Sequence, residues 1–122
     1  MRPLLKWAGG KRQLLATLRP HFPDGFNRYI EPFLGSGAVF FDLYGSGTLN
    51  GRPAVLADGN IDLIGCYQMV RDRTEDVITA LESLAQEHRA GGDAFYYEVR
   101  DGRFNALRLR QTPYTPALAA ML

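Results

Sequence analysis

The chain has 122 residues, of which 46% are hydrophobic and 22% are charged, so its composition excludes a disordered tail, a collagen-like repeat and a coiled coil. Its one cysteine, Cys66, cannot form an internal disulfide, and no run reaches the roughly 18 apolar residues of a membrane span. The basic start, residues 1–10, lacks the apolar segment and cleavage site of a signal peptide. We therefore expect a soluble cytoplasmic protein with no membrane partner.

The net charge of +1 is unevenly distributed along the chain. Residues 1–23 carry five basic side chains and no acidic one, residues 24–99 carry five basic and twelve acidic ones, and residues 100–122 carry four basic and one acidic. Basic ends that flank an acidic middle allow two separated segments to meet one anionic partner, such as a nucleic acid. The alternative is that these are ordinary solvated charges.

Helices and strands alternate in the first half of the sequence. Periodicity and turn residues predict a helix over 11–18, a strand over 28–31, a helix over 36–44, a strand over 54–57 and a helix over 62–70. A clearer helix is predicted from Glu75 to about His88, with Thr74 as its N-cap and Gly91-Gly92 at its end. Apolar residues recur in it at helical spacing, namely Val77, Ile78, Leu81, Leu84 and Ala85. Residues 95–105 and 116–122 are also predicted to be helical.

The strand–helix–strand order with short loops predicts two parallel strands. Parallel sheets are buried on both faces and need more than two strands, and no third strand is evident in the sequence. We therefore expect the front part of a larger α/β domain, or a domain that a partner chain completes.

A glycine turn follows the first predicted strand. Gly35-Ser36-Gly37 leads into a helix, and Asp58 stands at the end of the next strand, 21 residues after Gly37. Glycines here let a ligand approach bare backbone and helix N–H groups, and an acid at this distance is placed to bind a ribose. The alternative is a plain turn in which the glycines serve packing and Asp58 caps a helix.

The ligand that this turn favours is S-adenosylmethionine. A dinucleotide fingerprint has a third Gly where this chain has Phe40, and Glu31, just before the turn, would repel a pyrophosphate. S-adenosylmethionine carries a sulfonium, an α-ammonium and a ribose but no phosphate, so Glu31 can face its positive groups while Asp58 binds the ribose. An NAD-dependent enzyme half is the weaker alternative.

The segment Lys6-Trp7-Ala8-Gly9-Gly10-Lys11 is the second unusual one. It holds the single Trp beside a Gly pair and two Lys, but it is not a phosphate-binding loop because it lacks the first Gly of that motif. Trp7 therefore either meets an adenine ring or a nucleic acid, or it is a core residue before a helix.

Four segments of the sequence resemble the Dam-like class of DNA adenine-N6 methyltransferases. They are LKWAGGK at 5–11, YIEPFLGSGAVF at 29–40, DGNIDLI at 58–64, and YYEVR at 96–100 with Phe104-Asn105. The resemblance implies an α/β fold, the first part of a Rossmann-like S-adenosylmethionine-dependent methyltransferase domain. It implies that residues 1–70 belong to the donor-binding domain and that residues 71–122 begin a helical DNA-recognition domain.

The same resemblance implies a role for each matching residue. Trp7 and Lys11 match positions that contact the methyl donor, and Lys11 is also expected to reach DNA. The loop that holds the methionine part matches Glu31, Phe33, Gly35, Ser36 and Gly37. Asp58 matches the acid that binds the ribose. Gly59 departs from the apolar residue usual in the family, which leaves less packing beside the adenine.

The resemblance ends before the family's catalytic Asp-Pro-Pro-Tyr motif. The nearest segment here, Thr112-Pro113-Tyr114, lacks the carboxylate and one Pro. We therefore assign no catalytic residue, and no metal site either, since His21 and His88 have few acids near them. The expected whole enzyme transfers a methyl group from S-adenosylmethionine to adenine N6 in double-stranded DNA, and this chain is expected to be inactive alone. The alternatives are a donor-binding module, which either stands alone or is split and completed by a partner chain, and a non-functional gene remnant.

Overall fold

Two parallel strands lie side by side in the structure, a computed structural model that describes residues 3–110 and 113–122. Strand β1 is Tyr29–Glu31, strand β2 is Ala54–Leu56, and Ile30 is paired with Val55. Helix α2, Ala38–Gly45, connects the two strands. The parallel pair and the intervening helix confirm the strand–helix–strand prediction. The chain has two structural units, Met1–Gly59 and Asn60–Leu122, whereas the predicted division after residue 70 stays a prediction.

The predicted helix over 11–18 is three short helical pieces. A 3-10 turn at Lys11–Leu14 precedes α1, Leu15–Leu18, and a second 3-10 turn at Arg19–His21 follows it. The backbone N–H of Phe22 donates to the carbonyl of Arg19 and closes this last turn, in which Pro20 occupies a starting position. The core of the first unit is formed by Val39, Leu43 and Leu49, with partly buried neighbours Leu15, Leu18, Phe22, Phe26, Tyr29 and Phe40. Leu14, in the first 3-10 turn, is exposed.

A bidentate ion pair connects the 3-10 turn Arg19–His21 to α2. The guanidinium of Arg19 donates to both carboxylate oxygens of Asp42, with N–O distances of 2.6 and 2.9 Å. This hydrogen bonding holds the pKa of Asp42 below its usual value, so the carboxylate stays charged into the acid range. The ion pair therefore connects the 3-10 turn that follows α1 to α2.

One face of the two-stranded sheet is open. Ile30 is 57% exposed and Val55, its partner in register, is 52% exposed. Parallel sheets in proteins are covered on both faces, because side chains on both faces are usually apolar. The described residues of the first unit therefore leave this pair of apolar side chains uncovered.

The second unit is helical. Its elements are α3, Ile61–Asp72; α4, Thr74–Tyr97; a π-helical segment, Glu98–Phe104; α5, Asn105–Arg108; and α6, Pro116–Met121. Gly92 breaks α4 with φ 61° and ψ −153°, which confirms the predicted helix end there. The predicted N-cap role of Thr74 is wrong, because Thr74 is already helical and its hydroxyl donates to the carbonyl of Val70 at 2.6 Å. Residues 95–105 were predicted to be helical, but the π-helical geometry of Glu98–Phe104 was not predicted.

The core of the second unit forms where α3 packs against α6. Leu63, Cys66 and Leu118 are its fully buried large side chains. Cys66 fills space as a small apolar residue, and burial raises the pKa of its thiol, which keeps it protonated and unreactive.

Tyr114 has a packing role in this core. Its ring lies on Gly65, where a Cβ would come within 2.5 Å of the ring atom Cγ, so only glycine fits. Burial, and then the charge of Asp62, raises the pKa of the Tyr114 hydroxyl. Tyr114 ends the segment that most resembled a catalytic motif, whereas Thr112 lies outside the described residues.

The apolar side of α4 is only partly buried. Val77 is buried, whereas Ile78 is 42% and Leu81 is 47% exposed. These two side chains lie on the helix side that the described residues of the second unit leave uncovered. Within residues 3–110 and 113–122, no helix is long and apolar enough to cross a membrane.

Ion pairs hold the π-helical segment and α5. The guanidinium of Arg103 contacts the carboxylates of Glu87 and Glu98 at 2.8 and 2.9 Å. The guanidinium of Arg108 contacts the buried carboxylate of Asp62 at 2.7 Å. These two arginines therefore have structural partners within the unit, whereas the exposed Arg100 lies over the rings of Tyr96 and Tyr97 beside Asp101.

Candidate functional site

The loops that follow β1 and β2 meet at one edge of the sheet, because parallel strands end on the same side. The backbone N–H of Gly35, in the first loop, donates to the carboxylate of Asp58, in the second, at 2.8 Å. The backbone of Leu34 also bonds the carbonyl of Ala57 at 2.9 Å. Asp58 is therefore held against the glycine turn, as the spacing of the two motifs predicts.

The glycine turn has backbone dihedral angles that are energetically unfavourable for other residues. Gly35 has φ 53° and Gly37 has φ 68°, both in the left-handed region. A Cβ on Gly37 would lie 2.9 Å from Cε2 of Phe41, so the turn also packs closely on α2. Gly37 is the N-cap of α2 and supplies no side-chain acceptor to the first helical N–H groups. Backbone donors at this position are suited to bind a polar ligand group.

A buried carboxylate lies just before the turn. The side chain of Glu31 is 5% exposed, and its Oε1 accepts a hydrogen bond from the ammonium of Lys11 at 2.5 Å. Its Oε2 accepts from the hydroxyl of Tyr29 at 2.7 Å. The Lys11 ammonium also donates to the carbonyl of Phe33 at 2.6 Å. Glu31 and Phe33 thus form a two-acceptor site for an ammonium group.

Tyr29 is a site residue that the sequence argument missed. Burial, and then the adjacent Glu31 carboxylate, raises the pKa of its hydroxyl, which remains a donor at all physiological pH values. The available signal was the two-residue period of a strand, which places Tyr29 and Glu31 on the same face. Tyr29 therefore orients the carboxylate from the strand side.

The segment that contains Trp7 folds against the glycine turn. The N–H of Gly10 closes a turn on the carbonyl of Trp7 at 3.1 Å, and a Cβ on Gly10 would lie 3.2 Å from Oγ of Ser36. Ser36 is buried, and it lines a cavity of about 620 Å³ together with residues 3–10, Arg12 and Gln13. Such a volume falls within the usual range for small-molecule sites.

The structure places all the predicted donor-site residues in the first unit. Lys11, Glu31 and Phe33 are in contact, Gly35 binds Asp58, and Trp7 lines the same cavity as Ser36. Trp7 is 36% exposed and is therefore not the core residue that was its alternative. The ring of Phe33 is 77% exposed.

The alternative role of Asp58 as a helix cap is wrong. Asn60 is the N-cap of α3, and its side-chain oxygen accepts from the N–H of Asp62 at 3.0 Å. The carboxylate of Asp58 is directed to the glycine turn instead. The site thus offers the buried carboxylate of Glu31 for a cation, and the carboxylate of Asp58 beside the backbone of the glycine turn. Residues 3–110 and 113–122 contain no group of three His, Cys, Asp or Glu that would hold a metal.

Comparison with known proteins gives the family of the chain. The model of the D12 class of N6 adenine-specific DNA methyltransferases matches residues 7–121. The chain is 37% identical over 111 residues to the type II methyltransferase M1.LlaDCHI of Lactococcus lactis subsp. cremoris, covering 88% of this chain and 36% of that protein. It is also 37% identical over 100 residues to the DNA adenine methylase of Escherichia coli (strain K12), covering 82% of this chain and 33% of that protein.

An archaeal relative shows the same similarity. The type II methyltransferase M.MjaIII of Methanocaldococcus jannaschii is 36% identical over 110 residues, which cover 83% of this chain and 37% of that protein. The chain belongs to the D12 class of N6 adenine-specific DNA methyltransferases. It spans about a third of the length of the curated relatives it matches.

Proposed function

We propose that this chain carries the methyl-donor site of an adenine-N6 DNA methyltransferase and binds S-adenosylmethionine there. The observation that carries the proposal is the joint placement of a buried carboxylate, Glu31, and an acid held at the glycine turn, Asp58, around the loops at one sheet edge. The family membership of the chain supports the same ligand. The fold is then the first part of a Rossmann-like methyltransferase domain, in which further strands would extend the sheet and helices would cover Ile30 and Val55 on its face.

The site has a partner for each charged or polar part of the donor. Glu31 and the carbonyl of Phe33 would hold the α-ammonium, because a carboxylate and a carbonyl already converge there on one ammonium. Asp58 would hold the ribose hydroxyls, and the backbone of Gly35 and Gly37 would let the methionine part approach. Trp7, at the cavity, would cover the apolar parts of the ligand.

The reaction requires little covalent chemistry from these residues. When bound, S-adenosylmethionine supplies a methyl group on a sulfonium, which adenine N6 displaces directly. The contribution of this chain is to fix the donor, so that two reactants meet in one orientation. The groups that hold the flipped adenine belong to the Asp-Pro-Pro-Tyr motif of the family, which lies outside this sequence, so the chain alone should not methylate DNA.

Double-stranded DNA is the proposed substrate of the whole enzyme. Residues 71–122 would begin its helical DNA-recognition domain. Lys11 would reach the DNA from the donor side. Relatives named as type II methyltransferases support a restriction–modification setting for the proposed enzyme.

A second candidate is a split enzyme in which another chain supplies the missing part. The exposed pair Ile30 and Val55 favours it, because a paired but uncovered parallel sheet needs an apolar cover. A stoichiometric complex with a chain that bears the Asp-Pro-Pro-Tyr motif, observed by size-exclusion chromatography, would support this candidate, and separate elution would exclude it.

A thermal melt with and without S-adenosylmethionine tests the proposal. At a hundredfold excess over Kd we expect a stabilisation of about 2.7 kcal/mol and a rise in Tm of several degrees, and no rise with NAD. Asp58→Asn keeps an oxygen for the N–H of Gly35 but loses the charge and the second acceptor. We expect a nearly unchanged Tm without ligand and a donor affinity lower by about tenfold or more, from the loss of a charged hydrogen bond.

The matched control is Asp24→Asn, at an exposed position of the same unit. This variant should respond to S-adenosylmethionine like the wild type. Equal responses of the wild type, Asp24→Asn and Asp58→Asn would contradict the role of Asp58, and no response of the wild type would contradict the proposed function.

A further inference from the structure

The ammonium site formed by Glu31 and Phe33 is filled by a side chain of the protein itself. The Lys11 ammonium lies 2.5 Å from Oε1 of Glu31 and 2.6 Å from the carbonyl oxygen of Phe33. The second carboxylate oxygen is bonded to Tyr29, so the acceptors that face the site are both engaged by Lys11. A ligand that brings its own ammonium to this site therefore meets an occupied position.

The two side chains of this ion pair differ in how easily they can move out into water. The Glu31 side chain is 5% exposed, whereas that of Lys11 is 32% exposed. A buried carboxylate needs a compensating cation at all times, because an isolated charge in the interior is costly. The four-carbon stem of a lysine can turn out into water with its charge, whereas the shorter, buried side chain of Glu31 cannot. Lys11 is thus the exchangeable member of the pair.

We propose that Lys11 is an internal counterion that the α-ammonium of the methyl donor displaces from Glu31, which frees the Lys11 ammonium to bind a phosphate of the DNA. The proposal rests on the proposed donor-binding function. Two ammonium groups at one pair of acceptors repel each other, so either Lys11 or the donor neutralises Glu31. Donor binding then adds one positive charge to the protein surface, and donor and DNA strengthen each other's binding by the same factor.

The first test uses two ligands that differ in the amino-acid end, which carries the α-ammonium together with the α-carboxylate. S-adenosylhomocysteine carries it, whereas 5′-methylthioadenosine lacks the amino-acid end. Calorimetric titration should show that Lys11→Met binds S-adenosylhomocysteine more tightly than the wild type, by about tenfold, because the ligand no longer competes with Lys11. Binding of 5′-methylthioadenosine should be unchanged. Arg28→Met removes an exposed charge of the same unit that lies outside the cavity, and it should leave both affinities as in the wild type.

Other outcomes separate this proposal from the proposed function. Unchanged or weaker binding of S-adenosylhomocysteine to Lys11→Met would overturn the displacement while leaving the donor site intact. Failure of both ligands to bind the wild type and Lys11→Met would contradict the donor site itself, and the displacement with it.

A second test needs no variant, because Lys6 and Lys11 are the only lysines of the chain. Acetylation of the wild-type protein, followed by mass spectrometry of each lysine separately, should show that S-adenosylhomocysteine raises the modification rate of Lys11 several-fold over its rate without ligand, whatever happens at Lys6, which lines the donor cavity. 5′-Methylthioadenosine should not change the rate of Lys11. A Lys11 rate that stays equal or falls with S-adenosylhomocysteine would overturn the proposal even if Lys11→Met does not fold.

Discussion

Replacing Leu118 by alanine is expected to lower the free energy of unfolding by about 2–5 kcal/mol. Leu118 is 0% exposed in α6, at the centre of the second unit's core with Leu63 and Cys66. The substitution removes three carbon atoms from a site whose neighbours lie on different helices and cannot close the cavity without moving. Urea unfolding followed by circular dichroism measures the loss as a lower midpoint with an unchanged slope.

The matched control for this prediction is Leu109→Ala. Leu109 is 80% exposed in the same unit, so the same change of residue type should alter stability by only about 0.5 kcal/mol or less. Similar losses for Leu118→Ala and Leu109→Ala would show that the second unit is not packed on Leu118.

The Gly37→Ala variant is expected to lose about 2–3 kcal/mol of stability and to bind the donor at least tenfold more weakly. Its backbone has φ 68°, which is strained for any residue with a Cβ, and the new methyl group would lie 2.9 Å from the Phe41 ring. Relief of this contact would shift the start of α2 and the N–H groups that we assign to the donor. Fluorescence of Trp7, the single tryptophan, reports unfolding of this unit.

Gly25→Ala is the control for Gly37→Ala. Gly25 is in the same unit, has no positive φ, and a Cβ there would meet no atom within 4 Å. Its stability and donor affinity should remain close to those of the wild type. If Gly37→Ala behaves like Gly25→Ala, the glycine turn does not have the tight geometry described above.

Local rules predicted the elements that carry the site. The strand–helix–strand order followed from apolar runs and glycine turns, and parallel pairing then brought the ends of β1 and β2 together. The contact between Gly35 and Asp58 is the direct consequence. Sequence motifs also selected Lys11 and Glu31, although their ion pair depends on a tertiary contact across 20 residues.

Other features of the fold depend on tertiary packing, which the preferences of single residues do not predict. Thr74 has a good N-cap side chain, yet α3 and α4 are separated only by Arg73, so the Thr74 hydroxyl bonds back to Val70. The apolar period of α4 was read correctly, but burial of Ile78 and Leu81 requires a neighbour that the described residues do not supply. The packing of Tyr114 on Gly65 joins residues 49 positions apart and left no local signal.

The central claim is that the loops after β1 and β2 hold the methyl donor. Amide ¹H–¹⁵N spectra of the labelled chain, recorded with and without saturating S-adenosylmethionine, test it most directly. We predict shift changes at the amides of Gly9, Gly10, Gly35, Gly37 and Gly59, with those of Gly65 and Gly102 in the second unit unchanged. A spectrum that does not respond, or that responds at Gly65 and Gly102 but not at the glycines of the site, would contradict the claim.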